Sequence, residues 1–304
     1  MAFTAKDVQA LREKTGCGMM DCKKALVECD GDMDKAVDFL REKGLAQQAK
    51  KSGRVAAEGM VATYVDGKVG AMVEVNAETD FVAGGDPFKE LTNTIAKVVA
   101  EQNPADLDAL NACTVDGKTV EQLVQELFLV VRENMKIRRF VRVEGNVVSY
   151  VHAGGRIGVL VDFETSDEIA ANDKFIAMAK DVAMQIAAIN PLYLNKESVP
   201  QADIDHEKEI MVAQMKEDPK MANKPEQVLH KIVEGKLGKF FKENCLTEQE
   251  FVKNGDFTVS QVIANTAKEL GGEIVLKGFT RYEKGEGIQK REDDFAAEVA
   301  SMVK

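Results

Sequence analysis

Few residues of this sequence have the types and spacing that covalent chemistry needs. The five cysteines include no Cys-x-x-Cys pair and lie far from the three histidines, so zinc binding and thiol catalysis are disfavoured. No GxxxxGKS or GxxxxGKT motif is present, which argues against binding of GTP through a P-loop. The glycines of residues 154–158 fall between two predicted strands, where a β-turn is the better interpretation than a phosphate loop. We therefore predict no catalytic residue, no cofactor and no metal site.

The residues best suited to recognition lie in one stretch, residues 73–88, with the sequence VEVNAETDFVAGGDPF. Alternation of apolar and polar side chains over residues 73–76 predicts a strand with one apolar and one polar face. A helix is expected to begin at Asp86-Pro87, with the aspartate as N-cap. Phe81 and Val82 are then placed on a short loop between strand and helix. Such apolar residues either pack back on their own domain or, as we consider for Phe81, anchor in a pocket of a partner.

An internal repeat bears on this choice. Residues 73–104 align with residues 159–191 with a single-residue gap, and both copies read as strand, Glu-Thr, loop, Phe, helix and Asn-Pro. Where the first copy has Asp80-Phe81-Val82, the second has Ser166-Asp167-Glu168. Because the shared scaffold does not require an apolar tip, outward presentation of Phe81 is favoured.

Composition limits the remaining function classes. The 304 residues are 45% hydrophobic, enough for a substantial core, and carry a formal net charge of −11. An acidic surface is a poor match for a nucleic-acid backbone, so no nucleic-acid partner is expected. No segment has the apolar length of a membrane span, and the first residues lack a signal-peptide pattern. These features predict a cytoplasmic protein with reduced thiols.

Hydrophobic periodicity predicts an α+β fold with antiparallel sheets. Three short helices fill residues 1–45, with Gly44 ending the third, and a polar linker follows. A β-hairpin and further strands alternate with helices in the duplicated core. Two charged helices joined by a turn between Pro219 and Pro225 predict a helical hairpin. A short helix, a strand over residues 274–282 and an amphipathic terminal helix containing Phe295, Val299 and Met302 complete the chain.

Several separate motifs resemble the bacterial elongation factor Ts family of translation factors. They are Thr15–Leu26 (TGCGMMDCKKAL), Thr79–Val82 (TDFV), Met135–Arg139 (MKIRR), His152 with Gly155–Val161, Val233–Leu237 with the following Phe240-Phe241, and Val275–Gly287. Two departures from the family pattern occur beside the TDFV motif. Ala77 replaces a cysteine often found there, and Gly84-Gly85 replace bulkier polar residues, which implies a looser loop.

The resemblance implies a guanine-nucleotide exchange factor, not an enzyme, whose partner is elongation factor Tu. Partner contacts would come from Thr79, Asp80, Phe81 and Val82 near the partner's Mg²⁺ site, and from Arg12, Met19, Met20 and His152. From the residues alone, the two methionines fit core filling or an exposed contact, and His152 fits a structural or a partner role. A one-to-one pair, a homodimer and a two-plus-two complex all remain open. The competing classes are an enzyme with a cleft between the core copies and a nucleic-acid-binding translation protein.

The expected domain organisation combines the pattern and the resemblance. Residues 1–54 form a ubiquitin-associated-like three-helix domain with its linker, and residues 55–140 form one core subdomain. Residues 141–199 with 234–284 form the second core subdomain, interrupted by the helical-hairpin insertion at 200–233. Residues 285–304 form a C-terminal module.

Overall fold

The computed structural model describes residues 3–217 and 226–289 and confirms the predicted α+β class. The helices, in chain order, are α1 (Ala5–Thr15), α2 (Met19–Glu28), α3 (Met33–Lys51), α4 (Asp80–Ala83), α5 (Asp86–Gln102), α6 (Leu107–Ala112), α7 (Val120–Val131), α8 (Asp167–Ala170), α9 (Asp173–Ile189), α10 (Gln201–Glu217), α11 (Glu226–Asn244) and α12 (Val259–Leu270). The strands are β1 (Glu58–Asp66), β2 (Val69–Ala77), β3 (Thr114–Val115), β4 (Lys118–Thr119), β5 (Lys136–Glu144), β6 (Asn146–His152), β7 (Ile157–Glu164), β8 (Glu250–Phe251), β9 (Asn254–Thr258) and β10 (Val275–Glu283).

The three N-terminal helices share a small core that also includes Leu129 of α7. The prediction that Gly44 ends the third helix is wrong, because α3 continues to Lys51. A Cβ atom at Gly44 would lie 2.1 Å from Cδ2 of Leu129, so the glycine allows α3 to approach α7 closely. Neighbouring residues of α7 face the first sheet, and this helix therefore lies between the bundle and the core.

Two three-stranded antiparallel sheets form the centre of the molecule. The first has the order β1-β2-β5 and packs against α5, which in turn contacts α7. The second has the order β10-β7-β6 and packs against α9. Each sheet and the helices on it share an apolar cluster, and the two clusters are separate. The two-residue strands β3, β4 and β8 are not predicted from the sequence, since two residues leave too few positions for a periodic signal. The helix α6 and the strand β9, of six and five residues, are also absent from the prediction.

The opposite faces of the two sheets pack on each other through Val61, Met72, Val147 and Leu160. Consequently the polar face predicted for β2 is covered. Glu74 is fully buried and Asn76 nearly so. The alternation along β2 correctly indicated a strand, but a single sequence does not reveal which polar face a second sheet will cover.

The duplicated unit appears twice in the structure as strand, one-turn helix and long helix, namely β2-α4-α5 and β7-α8-α9. The N-caps of the one-turn helices are Thr79 and Ser166, and the buried Phe88 and Phe175 follow each cap by the same number of residues. The gap in the repeat therefore precedes the cap. The structural counterpart of Phe81 is Glu168, not Asp167 as the sequence alignment placed it.

Helices α10 and α11 pack against each other through Met215 and Val233, as expected for a helical hairpin. The predicted turn between Pro219 and Pro225 lies outside the described residues, as does the predicted terminal helix with Phe295, Val299 and Met302. Within the part of the chain that the structure describes, none of the helices has the length and apolar character to cross a membrane.

Candidate partner-binding surface

The TDFV motif forms a capped helical turn instead of the predicted open loop. Thr79 has extended backbone angles, and its Oγ1 accepts a hydrogen bond of 3.3 Å from the amide of Val82. The turn closes through the amides of Gly84 and Gly85, which donate to the carbonyls of Asp80 and Val82 at 2.8 and 3.0 Å. Both glycines therefore take part in a hydrogen-bonded turn, and the expectation that they loosen the segment stays a prediction. Gly85, not Asp86, is the N-cap of α5.

Within this turn, Phe81 and Val82 point in opposite directions. Phe81 is 86% exposed, which confirms its predicted outward presentation, whereas Val82 is only 8% exposed and belongs to the core of the first sheet. The second copy of the unit repeats this division, because Ile169 is buried at the position of Val82 and Glu168 is exposed at the position of Phe81. Val82 thus anchors the turn, and the apolar residue available to a partner is Phe81.

Asp80 precedes this phenylalanine and is also exposed. It occupies the first position of α4, where a negative charge suits the helix N-terminus. Among the described residues, no hydrogen bond or ion pair holds its carboxylate. The turn consequently presents an apolar ring beside an available carboxylate.

A second exposed apolar pair stands at the start of α2. Met19 and Met20 are 43% and 74% exposed, so the core-filling interpretation of these methionines is wrong. Gly16 ends α1 in the left-handed region, with φ of +67°, and a Cβ atom there would lie 2.8 Å from Val130 of α7. This close approach seats the beginning of α2 beside the end of α7.

The end of α7 joins both exposed features through residues that the sequence analysis did not single out. Arg132 donates to Asp21 in the first turn of α2 at 2.9 Å, and the Glu133 carboxylate accepts from Thr79. Asn134 is buried and donates to Glu78 at 2.6 Å. These pairs are separated by 54 to 111 residues in sequence, and no local pattern could have indicated them.

The other two predicted contact residues lie outside this network. Arg12 is exposed on α1. His152 is exposed at the end of β6, where its Nδ1 lies 2.9 Å from the hydroxyl of Tyr150. In the described ranges, no hydrogen bond or ion pair connects either residue to the Thr79–Val82 turn.

The side chains of the described residues offer little for covalent chemistry. No group of three or more His, Cys, Asp or Glu residues is placed to hold a metal ion within residues 3–217 and 226–289. Cys17, Cys22 and Cys245 are buried. Burial raises the pKa of the Cys245 thiol to about 11, so this cysteine is almost entirely protonated at neutral pH.

Comparison with known proteins agrees with these features. The model of the family described as "Elongation factor TS" matches residues 78–286. The chain is 50% identical over 305 residues to elongation factor Ts of Clostridium botulinum (strain ATCC 19397 / Type A), covering 98% of this chain and 97% of the relative. It is 48% identical over 309 residues to elongation factor Ts of Syntrophotalea carbinolica, covering both chains fully, and 49% identical to that of Clostridium perfringens (strain SM101 / Type A), covering 99% of each.

The family match spans more than half of the chain and includes the TDFV turn, strand β5 of the first sheet, the whole second sheet and the hairpin helices. The relatives extend the likeness to the N-terminal helices that carry Met19 and Met20. A family model and nearly full-length relatives thus agree. The chain belongs to the elongation factor Ts family of translation elongation factors.

Proposed function

We propose that this chain binds elongation factor Tu and accelerates the release of its bound guanine nucleotide. Family membership supports this proposal, and the observation that carries it is the exposed Phe81 on a capped and anchored turn. Phenylalanine is among the residue types most often fully buried in folded proteins, whereas Phe81 is 86% exposed. The second copy of the unit has the polar Glu168 at the equivalent position, so the fold does not need an apolar side chain there. The exposure of Phe81 beside Asp80 therefore supports a role in binding a partner.

The proposed mechanism is a coupling free energy between two binding sites. A P-loop GTPase holds its nucleotide through loop amides, a lysine and Mg²⁺. Insertion of Phe81 into the partner stabilises an arrangement in which these groups no longer surround the phosphates, while Asp80 enters near the Mg²⁺ site. Burying a phenylalanine contributes about 1.5–3 kcal/mol, which matches the usual range of allosteric coupling of about 1–3 kcal/mol. Because coupling is reciprocal, the nucleotide also weakens binding of the factor, and exchange proceeds in either direction.

The remaining contacts are assigned by their exposure and by the family resemblance. Met19 and Met20 present adaptable thioether side chains to the partner, with Arg12 on the preceding helix. His152 would contact the partner from the second sheet. Val82 is only 8% exposed, and we assign it to anchoring the turn that carries Phe81.

The domain organisation remains part of this proposal. Its units are an N-terminal module of residues 1–54, core subdomains of residues 55–140 and of 141–199 with 234–284, a hairpin of residues 200–233 and a terminal module of residues 285–304. The separate apolar clusters of the bundle, the two sheets and the hairpin support these divisions.

The isolated chain is expected to bind neither GDP nor GTP, because it lacks a P-loop to hold the phosphates. Isothermal titration calorimetry of the full-length chain with each nucleotide checks this directly. The same titration with nucleotide-free elongation factor Tu should show tight binding of the chain. Micromolar or tighter binding of a guanine nucleotide to the chain alone would contradict the proposal.

The outer part of the hairpin is expected to be dispensable for exchange. Met215 and Val233 form a cluster of their own, apart from the cores of the two sheets. Residues 212–233 can be replaced by a four-residue Gly-Ser linker, since packed helices lie only about 8–10 Å apart. The shortened chain should keep at least about half of the exchange rate, a loss of about 0.4 kcal/mol at most, because the deletion removes none of the proposed contact residues. Complete loss of exchange in a variant with a cooperative melting transition would mean that the hairpin supplies an essential partner contact.

A further inference from the structure

Three consecutive residues, Arg132 to Asn134, connect segments that are distant in sequence. We refer to these three residues as the corner, because they lie where α7 turns into β5. Arg132 donates to Asp21 of α2 at 2.9 Å and also to Gln47 of α3. The corner therefore reaches the helix on which Met19 and Met20 stand.

On its other side, the corner holds the cap of α4. The two carboxylate oxygens of Glu133 accept from the amide of Thr79 at 3.0 Å and from its hydroxyl at 2.7 Å. The hydroxyl has a single proton, which goes to Glu133, so its oxygen is free to accept from the amide of Val82. Glu133 thus sets both the position of the cap residue and the hydrogen-bonding role of its hydroxyl.

The corner is itself firmly placed. Arg132 lies in the left-handed region with φ of +60°, where its amide closes α7 on the carbonyl of Phe128 at 2.9 Å. Asn134 is buried, and its side chain donates to the carbonyl of Arg54 at 2.8 Å. Lys51 also donates to the carbonyl of Arg132. The side chains of all three corner residues have hydrogen-bond partners, on α2 and α3 for Arg132, at the cap of α4 for Glu133 and on the linker for Asn134.

We propose that the corner is a positioning element that holds Met20 at the start of α2 and Phe81 on α4 in one fixed relative orientation, so that both reach the partner together. This inference rests on the proposed exchange function. A binding surface whose parts are oriented in advance loses less conformational freedom on association, and two linked contacts then reinforce each other. If the corner were only a structural staple, the two contacts would act independently and its loss would lower stability alone.

The test is a double-mutant cycle in the full-length chain, with release of a fluorescent GDP analogue from elongation factor Tu as readout. Met20→Ala and Phe81→Ala are measured singly and together, in the native background and with Glu133→Gln, which keeps the side-chain shape but removes the charge. In the native background we expect the combined loss to differ from the product of the single losses by about threefold or more. With Glu133→Gln, the losses should become multiplicative within about 1.5-fold, and the maximal exchange rate should fall about three- to tenfold.

Glu126→Gln is the matched control. Glu126 also lies on α7 and pairs with Arg41 of α3 at 3.4 Å and Lys118 at 2.7 Å, so it links the bundle to the core without contacting the corner. It should leave both the rate and the cycle unchanged. Arg132→Gln, which breaks the contact with Asp21 from the other side, should reproduce the effect of Glu133→Gln and serves as the second variant if one of them folds poorly.

A partner-independent measurement separates this inference from the proposed function. In Glu133→Ala, hydrogen exchange at the amides of Thr79 and Val82 in the free chain should be about tenfold faster or more, while α5 stays protected.

If Phe81→Ala retains full activity, the proposed function fails at this site. If Phe81→Ala is inactive but both corner variants match Glu126→Gln in rate and cycle, the corner inference alone is overturned. A lower melting temperature with native exchange per folded molecule also overturns it.

Discussion

Replacement of Phe81 by alanine is expected to abolish most of the exchange activity while leaving the fold nearly as stable as before. The side chain is almost fully exposed, so its removal should lower the free energy of unfolding by about 1 kcal/mol or less, as for other surface substitutions. Loss of about 1.4–2.8 kcal/mol of coupling would slow nucleotide release about ten- to a hundredfold. Thermal melting and release of a fluorescent GDP analogue from elongation factor Tu, measured on the same sample, check both parts. Asp80→Ala should act in the same direction but less strongly, because the aromatic ring remains.

Two other phenylalanines calibrate this experiment. Phe88 is buried in the first turn of α5. Phe88→Ala should therefore lower the free energy of unfolding by about 3–5 kcal/mol. Phe257 is exposed on β9 in the second half of the core, and Phe257→Ala should change neither stability nor exchange by much. If Phe81→Ala lost as much stability as Phe88→Ala and kept native exchange per folded molecule, Phe81 would be a packing residue. A different residue would then have to insert into the partner.

Replacement of Glu74 by alanine is expected to have the largest effect on stability among the charged residues considered. Its buried carboxylate accepts from Arg138 at 3.0 Å, from Arg139 at 2.6 Å and from the amide of Gly285 at 2.7 Å. Arg139 also lies 4.1 Å from the ring centre of Tyr282, so the cluster joins the first sheet to the end of β10. Removing one partner of a buried, hydrogen-bonded ion pair costs about 3–5 kcal/mol, because the remaining charges lose their compensation.

Chemical denaturation of Glu74→Ala, followed by circular dichroism, measures this loss. Glu164→Ala is the control, since Glu164 pairs with Lys277 at the surface and should contribute little. A midpoint for Glu74→Ala equal to that of the control would show that the cluster does not stabilise the joined sheets.

The Glu74 cluster should also make stability depend on pH. Burial alone would raise the pKa of Glu74, but the hydrogen bonds from Gly285, Asn76 and the two arginines outweigh it and lower the pKa below its ordinary value. The folded state therefore holds this proton less tightly than the unfolded state, and the stabilisation is complete above the ordinary pKa of about 4.3. It is lost as the pH falls through the lower folded value. The stability difference between the native chain and Glu74→Gln should accordingly shrink below about pH 4.

The sequence predicts the local elements of this fold well because their signals are local. The helix that begins beside Pro87, the β-hairpin of the first sheet and the outward position of Phe81 follow from periodicity, turn residues and the internal repeat. The sequence alignment of the two copies is off by one residue at the loop, where it matches Phe81 to Asp167 instead of Glu168. The N-caps Thr79 and Ser166 share the same chemistry, and this chemistry is the signal that would have placed the gap correctly.

What the sequence could not show depends on contacts between distant segments. Glu74 looks like a residue on the solvent face of a strand until the second sheet and the chain near Gly285 cover it. Gly44 resembles the end of a helix, but it lies within α3, where the missing Cβ atom leaves room for Leu129 of α7. Glu133 has no local pattern, and its importance follows only from its bonds to Thr79. Long-range neighbours decide each of these cases.

The most direct test of the account is the rate at which a fluorescent GDP analogue leaves elongation factor Tu as the concentration of the native chain rises. The exchange mechanism predicts that the release rate increases and then saturates, for the GDP analogue and the GTP analogue alike. It also predicts that free nucleotide in solution weakens the binding of the chain to elongation factor Tu. Phe81→Ala should reach only a small fraction of the native maximum at saturating concentration. A release rate that stays at its spontaneous value at every concentration of folded native chain would contradict the central claim.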